Sequence, residues 1–139
     1  SLNLLKMSSK LLKAKVEGHN SIIERLEIKK CLLEVLREGS EESHIKCKKL
    51  VSSVLSNHKV LHKNTFYALT AMSAVLFIEK KYSEALKYYR KLAFIIYKSF
   101  GPRSKQHVVV LSSLASCIEK LGDVSAAIKI YRQCISKLA

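Results

Sequence analysis

The stretch "EKKYSEALKYYRKLAFIIYKSFGP", Glu79 to Pro102, decides the fold. Apolar residues recur at helical spacing over residues 82–99. Gly101-Pro102 stops the pattern, because glycine relieves a left-handed position and proline cannot continue a helix. The following segment, "VVVLSSLASCIEKLGDVSAAIKIYRQC" (Val108 to Cys134), repeats the rhythm. In both, an alanine is followed four residues later by a tyrosine: Ala85 by Tyr89, and Ala127 by Tyr131. The alanines lie 42 residues apart. At that offset Leu69 matches Leu111, Ser73 matches Ala115, Leu76 matches Ile118, Tyr82 matches Val124, and Lys80 falls opposite Gly122. Two helices approach closely only where one side chain is small, so Ala115 and Ala127 mark a close contact inside a hairpin. The face that one hairpin leaves uncovered is covered by the next, which is why such units stack.

Working outward, the pattern predicts seven helices, over residues 2–17, 21–37, 41–56, 65–79, 82–99, 105–120 and 124–138. Gly18-His19-Asn20 is the expected break between the first two, and Ser21 with Glu24 reads as a capping box opening the second. Gly39 reads as a left-handed cap, Glu41 and Glu42 as a favourable first turn, and Asn64 or Thr65 as the cap of the fourth helix. Short turns between paired helices imply antiparallel neighbours, hence an all-α stack of helix hairpins.

Composition agrees. The 139 residues suit one domain with a sizeable core. Four Gly and one Pro are too few turn formers for an all-β fold. No apolar run approaches membrane-spanning length. The chain begins with Ser and is read as a piece of a larger protein. The net charge is +14, divided as +6 up to residue 65 and +8 beyond. Such dispersed charge reads first as a solvated surface; otherwise it favours an acidic partner, or weak non-specific attraction to nucleic acid or anionic membrane. Tyr89, Phe94, Tyr97 and Phe100 fall at core spacing and do not read as stacking platforms, so no specific nucleic acid is expected. Helix 2–17 carries four lysines, no acid before Glu17 and an apolar stripe. It is read as a capping helix laid on the bundle, with membrane contact by residues 2–15 the lesser reading.

Catalytic chemistry is not legible. The five histidines (His19, His44, His58, His62, His107) have no acid and nucleophile at readable spacing, and no glycine-rich phosphate loop occurs. His44 and Cys47 have an H-x-x-C spacing without a second ligand pair, so neither metal nor cofactor is expected. Cys31, Cys47, Cys117 and Cys134 read as reduced, mostly buried thiols of an intracellular protein of cytoplasm or nucleus.

The helix-A leucine, the small residue four on (Ser73, Ala115), the turn, the helix-B alanine and the aromatic four later resemble the tetratricopeptide repeat (TPR). The 42-residue period is similar to the kinesin-light-chain variety. "FGPRSKQHVVVLSSLA" matches that variety at Gly101, Leu111, Leu114 and Ala115. Ser104 and Lys105 stand where that family has His-Pro, and Ser112 and Ser113 where it has two peptide-contacting Asn. The resemblance implies a TPR-like right-handed superhelix in a single domain, residues 1–139, with degenerate helices over 1–64 and two clear repeats over 65–139. It also implies a scaffold that binds a protein or peptide in a groove lined by the A helices. That groove would comprise Thr70, Ala71, Ala74, Phe77 and Ile78 from one repeat and Ser112, Ser113, Ser116, Glu119 and Lys120 from the next. The Lys/Asn/Arg clamp of chaperone-binding TPRs has no counterpart, so the expected ligand is a peptide with apolar anchors and acidic flanks.

A second resemblance spans more of the chain. "LHKNTFYAL", "SEALKYYRKLAFIIYKSFG" and "LSSLASCIEKLGDVSAAIKIY" look like the C-terminal TPR-like domain of SET-MYND lysine methyltransferases. The alternative it implies is a regulatory tail that walls off an active-site cleft. No SET or MYND motif occurs in the chain, so the chain itself is not expected to be an enzyme, although it would then be a fragment of one.

Overall fold

The computed structural model describes residues 2–139, and among them every regular element is helical. Six helices follow one another: α1 (Leu2–Glu38), α2 (Glu41–Asn57), α3 (Lys63–Ile78), α4 (Tyr82–Phe100), α5 (Lys105–Lys120) and α6 (Val124–Leu138). The expected all-α stack is therefore observed, with one helix fewer than the seven expected. Residues 2–17 and 21–37 form a single helix that runs through Gly18-His19-Asn20. Gly18 has open space around it, and a helical glycine costs only about 1 kcal/mol relative to alanine. Breaking the ladder there would forfeit several backbone hydrogen bonds.

α3 organises the molecule. It buries Ala68, Leu69, Ala71, Met72, Ser73, Val75 and Leu76, which leave it almost no polar side. A helix apolar all round has to be covered all round. Accordingly α3 packs against α1, α2 and α4, and α4 then carries α5, which carries α6. One core cluster joins Ile28, Cys31 and Val35 of α1 with Cys47, Val51 and Val54 of α2 and the inner residues of α3. A second joins Leu69 to Leu92, Ala93, Ile95 and Ile96 of α4 and Val110 of α5.

The two hairpins α3–α4 and α5–α6 turn in the same way, 42 residues apart. Lys80 (φ 62°) and Gly122 (φ 99°) occupy the left-handed position. The Lys80 N–H donates to Phe77 O (3.0 Å) and that of Gly122 to Glu119 O (3.0 Å). The Lys81 N–H reaches Leu76 O (2.9 Å) and that of Asp123 reaches Ile118 O (3.2 Å). Lysine tolerates this conformation with strain that glycine avoids. The paired positions are closed in both hairpins: Ser73, Ala115 and Ala85 are 0% exposed and Ala127 is 2% exposed.

Three further expectations are corrected. The first half of α1 does not cap the bundle, since residues 2–20 are all exposed. The face of α1 that meets the body in its second half, through Ile28, Cys31 and Val35, is continued in the first half by Lys6, Lys10 and Lys13. α3 is capped by His62, whose Nδ1 accepts from the Asn64 N–H (3.0 Å), and not by Asn64 or Thr65, which are buried. Phe94, Tyr97 and Phe100 are exposed on α4, while Tyr89 is half-buried. All four cysteines are buried and free, as expected.

Because Ala127 and Ala85 sit in closed helix contacts, Ala127→Leu overpacks its site and costs about 1–3 kcal/mol, and Ala85→Leu does likewise. Thermal denaturation measures this. A melting temperature unchanged by both substitutions contradicts the shared hairpin geometry.

Candidate functional site

The hairpins α3–α4 and α5–α6 meet at a cavity of about 280 Å³ lined by Phe77, Tyr89, Ser112, Ser113, Ser116 and Tyr131. Four expected groove residues are thus brought together: Phe77 from one A helix and Ser112, Ser113 and Ser116 from the next. Tyr89 and Tyr131 complete the lining, and burial pushes the Tyr89 hydroxyl up to about 12. Phe77 serves two purposes. Its ring packs partly on the core and meets Tyr82 edge-on at 5.2 Å, and its remaining surface faces the cavity.

The other expected residues lie elsewhere. Ala71 is 1% exposed and belongs to the core shared with α1 and α2, because α1 covers the side of α3 that the groove reading left open. Thr70 is exposed, and its hydroxyl bonds back to Phe66 O (2.9 Å). Ala74 is half-buried, Ile78 is exposed, and Glu119 and Lys120 are exposed at the end of α5. None of these six lines the cavity.

A larger cleft, of about 560 Å³, lies toward the N-terminal end of α3. Leu55 and His58 from the end of α2, Val60 from the link, Thr65 and Leu69 from α3, and Arg90, Lys91, Phe94 and Ile95 from α4 line it. The wall is mainly aliphatic and aromatic, with two cations on one side. The sequence signal for it was available: Arg90, Lys91 and Phe94 fall on the side of α4 away from core residues Leu92 and Ile96. The expectation that Phe94 is core hid it.

Several ionisable side chains near these surfaces are committed to structural pairs. Glu79, at the α3–α4 turn, accepts from His44 Nδ1 (2.7 Å) and Lys48 Nζ (2.8 Å) of α2, with Lys81 Nζ at 3.4 Å. Burial pushes the Glu79 carboxyl up, but the hydrogen bonds from Lys48 and His44 outweigh it and hold the group below its ordinary value of 4.5. Glu24 of α1 accepts from His58 Nε2 (2.6 Å) and Asn64 Nδ2 (2.7 Å), and Asn64 Nδ2 also reaches Ser21 O (3.0 Å). His58 stacks on His62 at 3.9 Å. Burial, then the charge of His58, lowers the His62 pKa, in keeping with its Nδ1 serving as an acceptor. His107 donates from Nδ1 to Pro102 O (3.1 Å). Cys47 donates to Cys31 Sγ (2.8 Å), and the Cys31 thiol donates in turn to Ile28 O (3.2 Å).

Among the described residues, no group of three or more His, Cys, Asp or Glu side chains could hold a metal ion, and no helix is long and apolar enough to cross a membrane. No family model, curated protein or solved structure matches the chain.

The Glu79 pairs set a pH dependence. A carboxyl whose folded pKa is depressed contributes stability above its unfolded pKa, and that contribution is lost as pH falls through the folded value. Glu79→Gln therefore lowers stability by about 1–2 kcal/mol at neutral pH. The gap between parent and variant closes on acidification below 4.5. Denaturant unfolding across that range checks it, and a gap that does not change with pH contradicts the pairing.

Proposed function

We propose that the chain is a non-enzymatic protein-binding scaffold, a TPR-like helical stack that takes a peptide with apolar anchors and acidic flanks. One observation carries this reading: the cleft between α2, α3 and α4 combines an apolar wall (Leu55, Val60, Leu69, Phe94, Ile95) with two adjacent cations, Arg90 and Lys91. Apolar burial supplies affinity, and the cations select the flanking charge and speed association. The cavity at Phe77 is half as large, carries hydroxyls, and has neither Lys120 nor another cation in its lining. It suits a polar segment better than an apolar anchor. The shared turn geometry 42 residues apart, with closed small-residue contacts in both hairpins, supports the repeat reading. The commitment of Glu24, Glu79, His44, His58 and His107 to structural hydrogen bonds supports the non-enzymatic one.

Selection from a displayed peptide library tests this. The expected consensus has aliphatic or aromatic anchors beside Asp or Glu. Its binding weakens at least about tenfold with Phe94→Asp and with Arg90→Glu plus Lys91→Glu. Ser116→Arg leaves it unchanged. Phe94, Arg90 and Lys91 are exposed, so these substitutions leave the fold intact. No enrichment contradicts the binding-module reading. Peptides lost with Ser116→Arg and kept by Phe94→Asp move the site to the Phe77 cavity.

A further inference from the structure

α1 carries a second apolar face that the fold does not use. It spans 37 residues, about 55 Å at 1.5 Å per residue. Its body-facing side in the second half is Ile28, Cys31 and Val35. Leu26 and Leu33 precede Ile28 and Val35 by two residues, which is about 200° around a helix, so they point away from the body. Leu26 is 58% exposed and Leu33 is 64% exposed. This outer line continues down the free half in strict heptads. Leu5, Leu12, His19, Leu26 and Leu33 occupy one seam position, and Leu2, Ser9, Val16, Ile23 and Lys30 the other. Leu2, Leu5, Leu12, Val16 and Ile23 are exposed too. A heptad seam sustained over this length is the pattern of a coiled coil, and its partner strand is missing.

The charges beside the seam identify that strand. The positions following Leu5, Leu12, His19, Leu26 and Leu33 are Lys6, Lys13, Asn20, Glu27 and Glu34: cations at one end, anions at the other, and a neutral amide at the middle. In an antiparallel pair these flanking positions face their own equivalents on the other helix. With residue 20 at the two-fold axis, Lys6 falls opposite Glu34, Lys13 opposite Glu27, and Asn20 opposite itself. The same register sets Val16 against Leu26 and Ile23 against His19. Lys30, whose apolar stem can lie along the seam, falls against Leu12. On the other flank Ile22 meets itself, and Lys15 faces Lys29, whose ammonium is drawn away from the seam to lie over the Tyr67 ring at 5.3 Å. A parallel pair would instead stack His19 on His19 and Lys30 on Lys30 within the seam, and would not bring Lys6 or Lys13 near an acid. A closed two-fold interface is also the commonest arrangement of identical chains.

We infer that α1 is the dimerisation element of this protein, pairing antiparallel with α1 of a second copy about an axis at Asn20. The bodies then lie on opposite outer sides of the pair, because the seam and the body-facing side of α1 are opposed. This assignment is independent of the peptide cleft, which lies on α2, α3 and α4.

Sedimentation equilibrium of the chain over a wide concentration range tests it, with a dimer expected to form as concentration rises. Leu12→Glu and Leu26→Glu each raise the dissociation constant more than about tenfold without changing the helix content or melting of the monomer. The charge-reversed variants Lys6→Glu plus Lys13→Glu and Glu27→Lys plus Glu34→Lys are each weakened alone and form a heterodimer when mixed. Lys6→Cys and Glu34→Cys cross-link to each other on mixing under mild oxidation, and neither cross-links to itself. A chain monomeric throughout overturns the inference, as does a dimer indifferent to Leu26→Glu or a self-cross-linking Lys6→Cys. A monomer that binds anionic vesicles through Leu12 overturns it as well, and assigns the seam to a membrane.

Discussion

The structure depends on covering α3. Ala68, Leu69, Ala71, Met72, Val75 and Leu76 leave that helix with almost no side that can face water. α1 and α2 cover one flank, and α4 covers the other. The small residues are what let the covering helices come close. Ser73 at 0% exposure keeps its hydroxyl satisfied by donating to Leu69 O, so it can sit against apolar neighbours without an orphaned group. The remaining helices follow from α4, which carries α5 on its far side, and α5 carries α6.

Two acidic residues lock this arrangement from opposite ends of α3. Glu79 holds α2 to the turn after α3 through His44 and Lys48. Glu24 holds α1 to the start of α3 through Asn64 and to the preceding link through His58. Each joins residues more than thirty positions apart. Half-buried pairs of this kind favour one register of the helices over its neighbours, because a slipped register would strand the charge. They also place the cleft: His58, which lines it, is held by Glu24, and Thr65 beside it donates separately to Lys59 O.

The second half of the chain was legible because its signals are local. Gly101 and Gly122 end their helix and turn as read, at positive φ. The alanine–tyrosine offset between α4 and α6 marked the close contacts correctly. The first half was not legible, because its signals are ambiguous at short range. Ser21 and Glu24 have capping-box spacing, yet both spend their oxygens on Asn64, 43 and 40 residues away. No local reading distinguishes a cap from such a latch. Splitting α1 at Gly18 then hid the heptad seam, which is visible only when residues 2–38 are read as one helix. The groove prediction failed at Ala71 for a similar reason, since the side of α3 that carries it is covered by α1. Phe94 shows the converse: expected in the core with Tyr89 and Tyr97, it lies on the side of α4 away from Leu92 and Ile96 and forms part of a cleft wall.

The proposed binding surfaces follow from this plan: the cleft is where the covering of α3 by α2 and α4 is incomplete, and the α1 seam is the side opposite its covering contact. The claim beneath both is that α3 is the last element to open. Native-state hydrogen exchange measures this directly. The account predicts that the amides of Leu69 to Leu76 exchange slowest, at the rate of global unfolding, and that those of residues 2–17 exchange much faster in the monomer. Slowest exchange in α5 and α6, with α3 opening in local excursions below the global limit, would contradict it.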